Sequence, residues 1–555
     1  VGRCPALNQQ YLPREDVLVS GTYDNLWRQQ FVCDRDERIA RKGNLRYRGS
    51  SFRVIQSTKP CMERALYSLL DHEPGSISPR IWELICDYYP IMKKTKPVVR
   101  ISENPTLDLD EVVFAQALGI YRDAMRNFYG PQTVLANSIQ NLDSAPGPAG
   151  KAAGYGSKRA LLEGDPEYCF EWADRDEPMH FGISGKVELI KEKKYKEGRI
   201  RPFEPQDAAS HFECAHQFAG SNKRMSESGP NLSSPIAVGW VQQKGGFISL
   251  MNSLNLSRHV FSGDADGWDK RFEQLFWQLE FAWRLENAIE NDYFTLTSRR
   301  GEEVLIKLYQ RIFDGYSSPL VWVGWLGLFV RLYIMPSGCT LTSYANSSGH
   351  FFIQAYHYAE SAMRAFGENY NVSYASMLND VCIKLYGDDN LGGVNRDSLI
   401  PFYTFEARSR TYARFAQRLK KDDDLYTDSP VGHMWLGFRC GENLAPMFSS
   451  EKILCSMEWP TSALSPSERY MKTVCLMVNG AYSEPPVYNY LQQHLQDLMA
   501  TFDSPWPNLS GLSKSSIPTP AELRSFWTGQ ESGSRPEILS LLEMATEEWP
   551  LTACA

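Results

Sequence analysis

Ile383-Lys-Leu-Tyr-Gly-Asp388-Asp389-Asn390 decides how the rest of this 555-residue chain is read. A short apolar run, a glycine and two adjacent carboxylates have the pattern of a β-hairpin turn. Two carboxylates at a bend can reach one divalent ion, provided a third arrives from a neighbouring strand. Alone the Gly-Asp-Asp triplet is weak, since average composition yields one by chance in roughly one chain in ten of this length. Its weight depends on what accompanies it.

The third carboxylate lies upstream, in His259-Val-Phe-Ser-Gly-Asp264-Ala-Asp266-Gly-Trp-Asp269. This segment reads as a short strand, a turn, and a helix from about Lys270, with Phe272, Leu275, Phe276 and Leu279 at helical spacing. Asp264 falls at the strand end, placed to face Asp388 across a sheet. Asp269 lies one turn further on, where it would meet something bound above the metals. Without Asp388 and Asp389, a solvated turn with an N-cap would be the better account of Asp264, Asp266 and Asp269.

Between the two segments runs Met335-Pro-Ser337-Gly338-Cys-Thr340-Leu-Thr342-Ser-Tyr-Ala-Asn346-Ser-Ser. A Pro-Ser-Gly turn opens a stretch of small and hydroxylated residues, and Phe351, Phe352, Ala355, Tyr358 and Ala362 continue it as a helix. Thr342 and Asn346 are four apart and share a helix face. Small side chains allow close approach of a ligand, while hydroxyl and amide groups can read a ribose.

In chain order, Asp264-x4-Asp269, Ser337-Gly338-x3-Thr342-x3-Asn346 and Tyr386-Gly-Asp388-Asp389 resemble motifs A, B and C of viral RNA-dependent RNA polymerases. The variant is that of picornavirus-like and calicivirus-like enzymes. Lys186-Val-Glu188-Leu-Ile-Lys191-Glu-Lys-Lys194-Tyr-Lys196-Glu-Gly-Arg199-Ile-Arg201-Pro-Phe-Glu204 is similar to motif F, and Leu142-Asp-Ser144-Ala-Pro-Gly147-Pro resembles motif G. Ile236-Ala-Val-Gly-Trp240 with Phe247-Ile-Ser-Leu250 is like the stretch preceding motif A. Trp435-Leu-Gly-Phe438-Arg439 resembles the motif E hairpin. The likeness is collinear over about residues 140–440.

The resemblance implies an α+β fold: a closed right hand of fingers, palm and thumb, with an antiparallel-sheet palm backed by helices. Residues 1–209 would be an N-terminal extension and fingers, 210–280 palm, 281–329 fingers, 330–445 palm and 446–555 thumb. It implies ribonucleotide addition to an RNA 3′-end with pyrophosphate release. Asp264, Asp388 and Asp389 would hold two Mg²⁺ or Mn²⁺ ions about 3.5–4 Å apart. Lys186, Glu188, Lys194, Arg199 and Arg201 would form the nucleotide-binding segment, its cations taking the triphosphate. Asp269 and Asn346, helped by Thr342, would read the 2′-hydroxyl, with Ser337-Gly338 as the hinge of a loop touching template and incoming base. Ser144, Gly147, Phe438 and Arg439 would contact RNA. The family places a motif D lysine after a Thr-Pro turn as proton donor to pyrophosphate. Tyr426-Thr-Asp-Ser-Pro-Val-Gly-His433 has none there, so Lys420 and Lys421 just before the turn, then His433, are the candidates.

Implied partners are RNA template and nascent RNA, ribonucleoside triphosphates, and a protein primer or other viral replication proteins. The implied location is host cytoplasm, at replication complexes or inside the virion. Two rivals stand beside this reading: a reverse transcriptase, and a catalytically inactive polymerase-like scaffold that binds RNA. The first lacks a use for Asn346 and the Lys-x-Glu segment; the second would be expected to lose Asp264 or Asp388.

Composition sets bounds. A 43% hydrophobic content allows a large core, and twelve cysteines without a Cys-x2-Cys pair argue against both a disulfide scaffold and a zinc site. The start, Val1-Gly-Arg-Cys-Pro, lacks the basic and apolar regions of a signal peptide. Residues 320–330 are too short to span a membrane and are expected as buried strands leading into motif B. A net charge of −8 is awkward for a partner of polyanions, so basicity must be local. Residues 186–201 carry seven basic and three acidic side chains, a net of +4, and Arg41, Lys42, Arg46 and Arg48 form a second cluster within 35–53.

Overall fold

A computed structural model of the chain describes residues 52–55, 59–70, 72–132, 142–170, 172–174, 177–186, 188–191, 201–293, 301–324, 326–458, 464–483, 485–501, 516–530 and 533–548. The architecture is mixed helix and sheet, as the α+β expectation requires.

Its organising element is a four-stranded antiparallel sheet. The strands are β1 (His259–Asp264), β2 (Val381–Tyr386), β3 (Asp389–Val394) and β4 (Leu425–Thr427), ordered β2-β3-β1-β4. Alternation along a strand sends successive side chains to opposite faces. Val381, Ile383 and Leu385 of β2 and Phe261 of β1 join one hydrophobic core, whereas Val260 and Leu391 join another. The sheet is therefore covered on both sides. Space is tight within it: a Cβ on Gly392 would lie 2.4 Å from the Phe261 ring, so only glycine fits between β3 and β1 there.

Helices supply the first core. These are α1 (Glu111–Arg126), α2 (Ala208–Ser228), α3 (Gln274–Glu290) and α4 (Thr342–Phe366). The Phe352 ring of α4 meets Phe114 and Tyr121 of α1 edge-on, at 5.2 and 5.5 Å between centroids. One buried charge network also ties three of these helices. Arg284 of α3 donates to Glu280 at 2.6 Å and to Ser221 of α2 at 2.8 Å, and Ser348 of α4 donates to Glu280 at 2.6 Å. Both ions are buried, so removing either would strand the other's charge away from water.

Two expectations need adjustment. The helix expected from about Lys270 starts at Gln274. A single 3-10 turn, Trp268–Arg271, comes first, and Phe272 and Glu273 are extended between the two. The apolar spacing that suggested an earlier start still holds, because Phe272, Leu275, Phe276 and Leu279 are all buried. Residues 320–330 form the expected strands, Leu320–Val323 and Leu328–Arg331, as an antiparallel hairpin, but Leu326 and Phe329 at its tip and second strand are exposed.

From residue 446 onward the described residues form five helices, α5 (Ser450–Glu458), α6 (Pro466–Asn479), α7 (Pro485–Thr501), α8 (Pro520–Thr528) and α9 (Pro536–Glu548). Ser465 and Thr519 cap α6 and α8 through reciprocal bonds with Glu468 and Glu522. These helices share one core with Phe247, Leu250, Val260, Leu391, Trp435 and Phe438. The C-terminal helices thus share the core on one side of the sheet, with the helix Gly246–Leu254 contributing to it as well. No helix among the described residues is long and apolar enough to cross a membrane.

Just before α3, Glu273 is fully buried and accepts from the Gly75 backbone N–H at 2.6 Å. Burial pushes its pKa from 4.5 up to about 7. His72, 3.8 Å away, is itself lowered by burial and by Arg271. The folded state therefore binds the Glu273 proton more tightly than the unfolded chain does. Its contribution is intact below pH 4.5 and is lost as pH rises toward 7. Glu273→Gln keeps an acceptor for Gly75 without the charge. It should melt with the wild type at pH 3.5 and above it at pH 8, by the equivalent of roughly 1–3 kcal/mol. Thermal unfolding at the two pH values checks this; a constant difference would contradict it.

Candidate active site

Gly387 and Asp388 are the two loop residues of the β2–β3 hairpin, because Tyr386 pairs with Asp389. Gly387 has φ +62°, while Asp388 stays outside the left-handed region, the pattern of a type II′ turn. No atom lies within 4 Å of a Cβ placed on Gly387, so the backbone, not space, demands glycine. Asp389 stands directly opposite Asp264 in the β3–β1 register. Directly opposed residues share a sheet face, with Cβ atoms about 4.5–5.5 Å apart. The expectation was that Asp264 would face Asp388; it is Asp389 that takes this place, with Asp388 at the tip.

Two of the three carboxylates hold their protons more tightly than usual. Enclosure by protein, then the charges of Asp264 and Asp269, push Asp388 up to about 6. Enclosure, then Asp388 and Asp264, push Asp389 to about 8. Asp388 and Asp269 are nonetheless open to solvent. Side chains ringed by protein yet wetted describe the floor of a cleft, and the water reaching them moderates the effect of enclosure.

Lys420 is the one cation placed against this cluster among the described contacts. Its backbone N–H donates to the Asp264 carbonyl at 2.9 Å, and its ammonium donates to Asp264 Oδ2. Burial alone would lower Lys420, but Asp264 outweighs it and holds the ammonium above its ordinary value. Lys421 is exposed and begins the 3-10 turn Lys421–Asp423. His433 is fully buried between Thr427 and Ser262, at 2.8 Å from each, and burial lowers it to about 4. It pins strands together, which rules it out as a solvent-facing acid in this structure. Among the described residues no three Asp, Glu, His or Cys side chains converge tightly enough to hold a metal as they stand. The donor set itself, carboxylates alone under mutual repulsion, suits a hard divalent cation such as Mg²⁺ or Mn²⁺.

Asp269 and Asn346 come from distant segments and meet. Asn346 Nδ2 donates to Asp269 Oδ1 at 3.3 Å, and Trp268 Nε1 donates to Asn346 Oδ1 at 3.0 Å. The amide is thereby oriented by its neighbours on both sides. Enclosure raises Asp269, and the charges of Lys186 and Arg201 oppose that rise. The two ends of the basic segment thus act on the floor of the cleft. They are joined to each other by the Lys186 N–H, which donates to the Arg201 carbonyl at 2.9 Å. Residues 192–200, with Lys194 and Arg199, lie outside the described residues, as does most of the 35–53 cluster. Glu188 lies in the strand Glu188–Lys191, and nothing is described of its side chain.

The turn before α4 is held from the same segment. Ser337 donates through N–H and hydroxyl to Glu204 Oε2, at 3.1 and 3.0 Å. Glu204 is buried, and burial pushes it up to about 7. A Cβ on Gly338 would lie 2.5 Å from the Glu204 carbonyl oxygen, so this glycine permits a close backbone crossing. Thr342 differs from expectation: its hydroxyl lies 3.0 Å from the Pro336 and Cys339 carbonyls, which commits its proton to the loop. Toward any other group this hydroxyl can accept but not donate.

Compared with protein-family models, the chain matches none, and no curated protein matches it.

The residues assigned to RNA divide. Phe438 is fully buried against Phe247, Phe448 and Trp527, so it packs the C-terminal core and cannot touch RNA. Arg439, its neighbour in the strand Phe438–Cys440, is exposed. Gly147 has φ +82° and is buried; its Cβ would lie 2.6 Å from Asp207 Cα, which makes it a joint between backbones. Ser144 is half-buried, and its carbonyl accepts from Lys158 N–H. The sequence reading missed Trp268, Glu204, Ser347 and His350. Three of these carried a usable signal: Trp268 adjoins Asp269, Ser347 follows Asn346, and His350 lies one helical turn beyond Asn346.

Proposed function

We propose that this protein is a template-directed RNA polymerase that adds ribonucleotides to an RNA 3′-end, with the sheet as palm and the C-terminal helices as thumb of a closed right hand. One observation carries the reading: a tight turn delivers Asp388 and Asp389 beside Asp264, on a cleft floor that also holds the Asp269–Asn346 pair. Asp264, Asp388 and Asp389 would hold two divalent ions. When bound, these lower the pKa of a 3′-hydroxyl and neutralise charge on the triphosphate. Lys420 must release Asp264 Oδ2 for that oxygen to bind a cation. It is then a free ammonium at the reaction centre, which favours it over Lys421 as proton donor to pyrophosphate. Arg201 and Lys186 attract the triphosphate, and Asp269 with Asn346 binds the 2′-hydroxyl. Replication of a viral RNA genome in host cytoplasm is the setting this activity would serve.

Sugar choice tests the reading. A site built to bind a hydroxyl leaves its own polar groups unpaired when the hydroxyl is missing, so discrimination should be large. Asn346→Ala and Asp269→Ala should each narrow the preference for UTP over dUTP at least about tenfold, mainly by slowing UTP. The double variant should cost less than the two single losses combined, since the pair acts as one network. Single-nucleotide incorporation by the four proteins measures this. Additive losses with unchanged preference would mean that the pair only braces the fold.

A further inference from the structure

The turn carrying Asp388 is gripped through both peptide groups of Gly387, and both grips come from α4. Gly387 N–H donates to Ser347 Oγ at 2.9 Å, and Ser347 gives its own proton to the Ser343 carbonyl at 2.7 Å. On the other side, His350 Nδ1 lies 2.9 Å from the Gly387 carbonyl oxygen. A carbonyl can only accept, so Nδ1 must carry the proton. His350 Nε2 is bonded to the Tyr412 hydroxyl, and Gln354 Nε2 lies 2.8 Å from that same oxygen. An amide nitrogen can only donate. The directions are then fixed along the whole row: Gln354 donates to Tyr412, Tyr412 to His350, and His350 to Gly387. The imidazole is fully buried and lies against the Trp268 ring, tilted by 34° with centroids 4.9 Å apart. Burial lowers its pKa to about 4, which leaves it neutral and able to accept at one nitrogen while donating at the other.

We propose that Ser347 and His350 are positioning residues that aim Asp388 by fixing both peptide groups of Gly387, and that Gln354 and Tyr412 select the imidazole tautomer that does so. The inference rests on the polymerase reading and adds to it. Holding the N–H and the carbonyl of one residue sets its φ and ψ, and hence the direction in which the next side chain leaves. Nothing else crowds this glycine, since no atom lies within 4 Å of its Cβ position. The aim of Asp388 therefore depends on the two grips more than on packing.

The test compares His350→Asn, His350→Leu and Tyr412→Phe with the wild type. Asn places an N–H where Nδ1–H was; Leu does not. Both variants lose the Tyr412 bond, so a purely structural His350 would give equal losses. The readouts are Mn²⁺ affinity by electron paramagnetic resonance without nucleotide, kcat and KM for UTP, melting temperature, and histidine tautomer by ¹⁵N NMR. The wild type should show a neutral Nδ1–H signal that vanishes in His350→Asn. His350→Leu should lose at least about tenfold in kcat, because a displacement near 1 Å at a reacting centre costs up to ~100-fold. It should also weaken Mn²⁺ binding, with KM little changed, while His350→Asn recovers most of both. Tyr412→Phe frees the other tautomer and should lower kcat without touching the turn. Equal losses in Asn and Leu, or an Nε2–H wild-type signal, would overturn the positioning role while polymerase activity stands. A wild type that neither polymerises nor binds Mn²⁺ would overturn the polymerase reading, and this role with it, whatever the tautomer.

Discussion

Asp388→Asn and Asp264→Ala should each abolish nucleotide addition and leave folding and RNA binding nearly unchanged. Each removes a ligand charge from a wetted cleft floor and little packing. Asp264 is partly exposed and Asp388 lies open at the turn tip. Substitutions away from buried features usually change stability by no more than about 0.5 kcal/mol. Removing charge should even relieve the repulsion that adds to burial in raising Asp389. The check is primer extension beside circular-dichroism melting and RNA affinity. More than a few per cent residual activity in either variant would contradict the ligand assignment.

Arg201→Ala should cost about 2.7–4 kcal/mol of transition-state stabilisation, the loss typical of one preorganised electrostatic contact. Its charge already acts on Asp269, and its carbonyl is bonded to the Lys186 N–H, so the segment's ends are fixed relative to the cleft floor. Preorganisation of that kind is spent on the transition state, so kcat should fall along with any rise in KM. Single-turnover incorporation at saturating UTP separates the two. A variant weakened only in RNA affinity would make Arg201 a plain phosphate contact.

The hairpin at 383–390, the strand ending at Asp264 and the helix from Thr342 were legible because each has a strong local cause. The hairpin has a glycine suited to positive φ, the strands have alternating apolar residues, and the helix has a long 3.6-residue apolar period. The meeting of Asp269 with Asn346 was legible only through the resemblance, since 77 positions separate them and no local pattern encodes contact at that range. What sequence did not reveal follows the same logic. Phe438 in an Arg-flanked hairpin reads like a surface residue until the C-terminal helices are seen to cover it. Thr342 shares a face with Asn346, but a helix-starting threonine has loop carbonyls within reach and bonds them instead. Lys420 reads as a solvated lysine because nothing nearby in sequence shows that its segment runs along Asp264. The start of α3 shifted by four residues because Phe272 is buried from extended backbone, which apolar spacing alone cannot separate from helix.

The most direct measurement of the central claim is extension of a primer on a defined RNA template, with UTP or dUTP, in Mg²⁺ or in chelator, by the wild type and Asp388→Asn. The expected result is UTP extension by the wild type in Mg²⁺ alone, weak extension with dUTP and none by Asp388→Asn. Equal or better use of dUTP would point to a reverse transcriptase. RNA binding without extension under any condition would leave a scaffold and contradict the account.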